Sequence, residues 1–459
     1  MSIDAPSQSA EALVLADLRR EFATGRTKSL QWRNAQLRGI EALCTECEDE
    51  IAAALKADLG RSAVEAWLGD VASTAAEAAY ARKHLKKWMR TRRVLLPLAQ
   101  LPGRGWIQYE PLGAVLVIGP WNYPFYLAMA PVVAAVAAGN TVVIKPSELA
   151  PETSRLLSLL VPKYLDSSAV RVVEGGAEIT QGLLAQGFDH AFFTGGTEVG
   201  RKIMAAAAPT LTPVTLELGG KSPVIVTADS DLEVTARRLA YTKFINSGQT
   251  CIAPDYVLAD ATIADDLVDL IAANVLAFKT DPMLPIVNER QFERLASAIE
   301  QTSGRVLHGG TYDRAALRIA PTVIVDPSPE DEVMTAEIFG PILPVLKFDN
   351  VSTAVRFVNE RPKPLALYVF AGSPKDGAAI VDQVPSGGAV INHVMMHCLV
   401  PQLPFGGVGA SGMGDYHGRW GFERMSHRRA VLAKRTFPDP SIVYPPYSAA
   451  ALKIMRRMF

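Results

Sequence analysis

Apolar residues recur at helical spacing near the start of the chain. Leu37, Ile40 and Leu43 share one face, Ile51, Leu55 and Leu59 the next, and Gly25, Gly60 and Gly69 punctuate the series. This spacing predicts a helical layer over residues 10 to about 90. From Trp106 the period changes. GAVLVIG (113–119), TVVIK (141–145), AVRVVEG (169–175) and HAFFTG (190–195) are short, β-rich runs, each followed by a stretch that suits a helix, such as 198–208. Strands that alternate with helices predict parallel βαβ units and a doubly wound sheet covered on both faces. A second series, PVTLELGG, SPVIVTA, DYVLAD, APTVIVDP, ILPVLKF, LALYVFAG and GGAVINH, with helices expected over 262–278 and 351–360, repeats the pattern. It predicts a second α/β domain beginning near Pro213. The apolar run Tyr123–Gly139 carries Pro124 and Pro131 and is shorter than the roughly 20 residues a membrane helix needs, so a buried helix is expected there. The Gly- and Pro-rich stretch 401–421 reads as a long loop.

Composition narrows the class. A chain of 459 residues exceeds what one hydrophobic core organises, which again predicts two domains. Its 46 basic and 47 acidic residues leave a net charge of -1, so no nucleic-acid surface is indicated. Cys44, Cys47, Cys251 and Cys398 are too few and too unevenly placed for a disulfide framework, which points to a reducing cytoplasm. Cys44 and Cys47 have C-x-x-C spacing but no second Cys or His pair nearby, and the seven histidines show no ligand spacing, so no metal is expected. The opening MSIDAPSQSAEALV, with Asp4 and no basic segment before an apolar core, does not read as a signal peptide.

Several segments carry candidate chemistry, each with a plainer alternative. Asn122, after the strand GAVLVIG, stands where α/β sheets place ligands; it suits an oxyanion donor or a helix cap. Lys145 and Glu148 end the next strand and suit ribose hydroxyls or form a solvated pair. Phe192–Gly200 runs from a strand through glycines into a helix, whose N-terminus would suit a pyrophosphate or be an ordinary turn. Glu217 is a carboxylate in an apolar strand, a general base or a salt-bridge partner of Lys221. Cys251, in INSGQTCIAP, is a nucleophile or a packed small hydrophobe. Gly407–Gly412 satisfies G-x-G-x-x-G, yet PQLPFG before it is no buried strand, so a structural loop is expected.

Taken together, PWNYP, KPSE, FFTGGTEVG, LELGGK, GQTC and EIFGP, in this order and at these separations, resemble the aldehyde dehydrogenase superfamily over nearly the whole chain. The N-terminal FATGRTKSLQWRNAQLRGIEAL and the C-terminal PFGGVGASGMGDYHGRWGFERMSHRRAVL and YPPY resemble its class 3 branch of fatty and aromatic aldehyde dehydrogenases, which includes coniferyl aldehyde dehydrogenase relatives. The resemblance implies an α/β fold with a Rossmann-like, parallel-sheet cofactor domain over 1–212, an oligomerisation strand near 104–112, a catalytic domain over 213–405, and a return to the cofactor domain and an oligomerisation tail over 406–459. It implies Cys251 as nucleophile, Asn122 as oxyanion donor and Glu217 as the base for water. It further implies a cofactor site of Trp121, Lys145, Glu148, Gly195, Gly196, Thr197, Glu198, Val199, Gly200, Leu218, Glu337 and Phe339. Where many members have Ser after FTG this chain has Gly196, leaving Thr197 as the nearest hydroxyl. The expected activity is oxidation of a medium- or long-chain aliphatic or an aromatic aldehyde to its acid with NAD, or NADP, by a cytoplasmic homodimer without an integral membrane segment. The alternatives are acyl transfer to coenzyme A and a catalytically silent dinucleotide-binding protein.

Overall fold

The computed structural model describes residues 9–278 and 283–458; the first eight residues of the opening stretch judged against a signal peptide lie outside these. The helical layer forms as the spacing predicts. Ser9 caps the helix Ala10–Ala23 by accepting from the Ala12 N–H, and Ser29 caps Leu30–Glu46 through Trp32 N–H. Glu48–Leu59 and Ala72–Trp88 complete the layer, and its apolar faces, including Leu37, Ile40, Leu43, Ile51 and Leu55, are fully buried. The run after Pro124 is the helix Tyr126–Ala138, buried from Leu127 onward and stopped by Gly139 at φ 91.

Two parallel sheets follow. The first runs in the order 412–413, 214–217, 190–194, 114–118, 141–145, 170–172, with only 412–413 antiparallel. The chain winds outward from 114–118 through 141–145 to 170–172, then returns to pair 190–194 on the opposite side. The crevice beyond Ile118 and Thr194 is therefore a topological switch point, where ligands of such sheets bind. The second sheet runs 305–308, 322–325, 342–348, 256–260, 223–226, 366–370, 388–391, with only 305–308 antiparallel.

The structure redraws two expectations and locates a third. Val214–Glu217, read as the opening strand of a second domain, pairs with His190–Thr194 in the first sheet, so the chain changes sheets between Glu217 and Pro223. The stretch 401–421 is not loop throughout: Gly412–Met413 adds an antiparallel edge strand, and a helix begins at Gly418. The strand expected near 104–112 is Gly103–Pro111, and it joins a separate antiparallel sheet with Arg92–Val94 and Ser426–Lys434. Among the described residues no helix is long and apolar enough to cross a membrane.

Candidate active site

The turn that carries Cys251 is tight. Asn246 and Ser247 both take φ 53, and Gly248 takes φ 71, three successive residues in the left-handed region. A side chain at Gly248 would run into the Gly340 carbonyl, so glycine lets this turn lie against the segment Glu337–Gly340. Gln249 is buried and ties the turn to chain beyond it: Oε1 accepts from the Val287 N–H at 3.0 Å and Nε2 donates to the Pro285 carbonyl at 3.2 Å. Cys251 itself is partly exposed. The Asn122 side chain donates to the Gln249 carbonyl at 3.1 Å, and the Tyr123 hydroxyl shares a hydrogen bond with Thr250 at 2.9 Å. Asn122 and Cys251, on different sheets' loops, are thereby brought together. Asn122 does not cap the helix at Tyr126: the N-cap position is Phe125, and the N–H groups there donate to Asp70 instead.

Glu217 ends its strand between Thr194 on one neighbour and Gly412 on the other. It is 2% exposed, and its Oε1 has no hydrogen-bond partner. Lys221, the salt-bridge partner considered for it, is instead bound to Asp255. Burial therefore lifts the Glu217 carboxyl well above the ordinary carboxylate range. Burial, reinforced by the negative charges of Glu217 and Glu337, also pushes the Cys251 thiol well above its usual value. The Cys251 thiol thus lies within the field of the Glu217 carboxyl, and both groups hold their protons more tightly than free ones do.

Glu337 and Phe339 lie on the far side. A Cβ on Gly219 would meet the Glu337 carboxyl, so the LELGGK turn and the EIFGP turn are in contact. Burial, with the charge of Asp255, raises Glu337 to about 7. Phe339 sits at φ 49, and its ring meets Trp121 edge-on, with centroids 5.4 Å apart. The backbone here is clamped by Arg294 and Asp255, which the sequence did not single out, and by Lys221, which it offered only as a partner for Glu217. Arg294 donates to the carbonyls of Glu337 (3.3 Å) and Ile338 (2.6 Å), the Ile338 N–H donates to Asp255 (2.9 Å), and Lys221 donates to the carbonyls of Val333 (2.8 Å) and Ala336 (2.9 Å).

The glycine turn after Thr194 flanks the switch point. Gly196 precedes the helix Thr197–Ala207, one residue earlier at each end than its periodicity suggests, without a side-chain cap. The N–H groups of Thr197, Glu198 and Val199 thus lack helical acceptors. A Cβ on Gly196 would meet nothing within 4 Å, while one on Gly200 would press on Leu218 at 2.6 Å. Glu198 turns outward and pairs with Arg201, and the Thr197 hydroxyl is spent on the Ala410 carbonyl at 3.2 Å, so this turn offers backbone rather than side chains. Ala410 belongs to the G-x-G-x-x-G segment, which is a structural loop: the Val408 N–H donates to the Ser411 hydroxyl at 2.9 Å, and the Ser411 carbonyl accepts from Leu218 N–H at 3.1 Å. One strand over, Lys145 is buried and donates to Glu148 at 2.7 Å. Burial works to raise the Glu148 carboxyl, but the bond and charge of Lys145 outweigh it and hold the group below its ordinary value.

Cys44 and Cys47 are buried in the helical layer, as a packing role requires, and burial pushes Cys44 up to about 12. Cys398 is partly exposed, and desolvation takes its thiol to about 12.

A doubly wound sheet with a glycine turn and free helix N–H groups at its switch point is the arrangement in which such folds bind nucleotides. Comparison with known proteins supplies the family. The sequence profile of the Aldehyde dehydrogenase family matches residues 5–431. Similar relatives include Aldehyde dehydrogenase family 3 member H1 of Arabidopsis thaliana, 44% identical over 98% of this chain and 95% of that protein. The rat protein named Aldehyde dehydrogenase, dimeric NADP-preferring, is 44% identical over 94% of this chain and 96% of its own. Among solved structures, the substrate-bound state of Staphylococcus aureus AldH superposes with a TM-score of 0.94 at 38% identity, covering 98% of this chain and all of that one. The chain belongs to the aldehyde dehydrogenase family, with class 3 homologues, and is an NAD(P)-dependent oxidoreductase.

Proposed function

We propose that this enzyme oxidises an aliphatic or aromatic aldehyde to the carboxylic acid through a covalent intermediate on Cys251. The observation that carries the reading is Glu217: a buried carboxyl at a strand end, with one oxygen unpartnered, whose charge is felt at the Cys251 thiol. Cys251, partly exposed, gives its thiol proton to solvent and attacks the carbonyl carbon, and Asn122, with the Cys251 N–H, donates to the oxygen as charge develops on it. The thioester left on sulfur is hydrolysed by water that Glu217 deprotonates. A base dedicated to water favours hydrolysis over acyl transfer to coenzyme A.

The residues at the switch point fit a dinucleotide. The buried Thr194 hydroxyl has no partner, three helix N–H groups are free of helical acceptors, and the space before them at Gly196 is open. Gly195 to Gly200 would take the pyrophosphate with Val199 and Leu218 beside it, Lys145 and Glu148 one ribose, and Glu337, Phe339 and Trp121 the nicotinamide end. When bound, NAD or NADP accepts the hydride from the substrate carbon. The charge of Glu148 favours NAD, which has no 2′-phosphate. The antiparallel sheet around Gly103–Pro111, with Leu95 and Leu432 exposed, supports pairing with a second copy in a cytoplasmic homodimer.

Glu217→Gln keeps the shape of the side chain and removes its basicity. Mixed with NAD and an aldehyde, this variant should release a burst of NADH approaching one per active site and then turn over slowly, with the acyl group on Cys251 detectable by mass spectrometry. Normal steady turnover would remove Glu217 from the hydrolytic step, and the absence of a burst would place it in the activation of Cys251.

A further inference from the structure

One buried ion pair beside this site has no part in the chemistry described so far. Arg61 is 2% exposed, and Asp70 is wholly buried in a single π-helical turn, Trp67–Val71, of the N-terminal helical layer. Such turns re-aim a side chain within a helix and recur at functional sites. The three arms of the guanidinium diverge. Nη1 pairs with Asp70, Nη2 donates to the Asn122 carbonyl at 2.5 Å, and Nε donates to the Asn246 Oδ1 at 3.2 Å. Its plane lies 4.1 Å from the centre of the Tyr123 ring, an approach Gly69 permits, since a Cβ there would touch that ring at 3.0 Å. The second oxygen of Asp70 accepts from the N–H groups of Phe125 (3.1 Å) and Tyr126 (2.8 Å). Asn246 closes the network by donating to the carbonyls of Asn122 (3.2 Å) and Gln249 (3.0 Å).

Burying two opposite charges contributes little net stability, because desolvation offsets their attraction. Here both charges grip one loop. The cation holds the carbonyl of Asn122, the anion holds the N–H groups three and four residues later, and the same guanidinium reaches the Cys251 turn through Asn246. We propose that Arg61 and Asp70 are the positioning pair for Asn122: by fixing its backbone they aim its amide toward the oxygen bound at Cys251, an inference that rests on Asn122 as the oxyanion donor. Only a planar fork makes these three bonds at once; a lysine ammonium on a flexible stem retains the charge beside Asp70 and loses the geometry.

Arg61→Lys is therefore the test, because it leaves no buried carboxylate uncompensated. In single-turnover NADH release from the full-length enzyme, it should slow acylation by about tenfold to a hundredfold, the scale of a misplaced catalytic group. The dissociation constant for NAD should not change. Asp70→Asn should act in the same direction. The deciding measurement is a double-mutant cycle. Asn122→Ala should slow acylation by roughly a hundredfold to a thousandfold, and adding Arg61→Lys to it should cost nothing further, since there is no amide left to aim. An unchanged acylation rate in Arg61→Lys, or losses that multiply in the double variant, would overturn the positioning role. An unchanged rate in Asn122→Ala alone would instead overturn the oxyanion reading beneath it.

Discussion

At the residue scale, the two cysteine environments separate packing from chemistry. Cys44 is buried among apolar side chains, whereas Cys251 is partly exposed on a strained turn beside Asn122 and near two carboxyls. Cys251→Ala should abolish aldehyde oxidation and leave NAD binding intact, because only the covalent step is lost. Cys44→Ala should retain activity and lose at most a little stability. Assays of both purified variants decide the point, and equal losses would contradict it. The pattern INSGQTC was enough to draw attention to Cys251, and an apolar strand to Glu217. Neither pattern tells that Lys221 would choose Asp255 and leave Glu217 unpaired, because that choice depends on where the chain returns 34 residues later.

At the scale of elements, the first sheet is held by residues with no catalytic part. His190 opens its strand 3% exposed, with its ring hydrogen-bonded to the Thr215 hydroxyl at 2.9 Å on the neighbouring strand. Burial lowers its pKa to about 4. The folded protein therefore keeps His190 neutral while the unfolded chain binds a proton below about 6.5, so the stability tied to this group is present above that pH and is lost as pH falls through about 4. His190→Gln keeps a hydrogen-bonding side chain and removes the titration. Its unfolding free energy should fall less than the parent's between pH 7 and 4.5, by about 2 kcal/mol. Equal acid sensitivity in chemical unfolding at the two pH values would show that the site is solvated. Period and β-branched content located most strands of both sheets. They missed which sheet Val214–Glu217 joins, since an apolar strand suits either one and only pairing with Phe193 and Thr194 decides.

At the scale of the whole molecule, the cofactor site proposed above draws on five separate stretches of chain. Lys145 and Glu148 sit one strand away from the switch point, in the first sheet, whereas the Cys251 turn leads into the second, so the proposal assigns them to cofactor recognition and not to catalysis. Glu148→Gln should consequently narrow the difference between NAD and NADP in kcat/KM and leave the NADH burst with saturating NAD unaltered. An identical cofactor ratio before and after the change would remove Glu148 from the site.

What the sequence by itself determined is the alternation of helix and strand, the buried helix after Pro124 and the candidates for the reactive side chains, because period, turn chemistry and residue type are local properties. Six short motifs in order were sufficient to indicate the family, since each preserves a local geometry. The tertiary structure alone decided which charges pair. Arg61 stands in DLGRS and Asp70 in WLGDV, segments that read only as a helical layer, and nothing local connects them to Asn122 and Asn246. That connection arises where three stretches distant in sequence meet in a dry interior, and a buried charge, unlike an apolar side chain, must find a specific partner there.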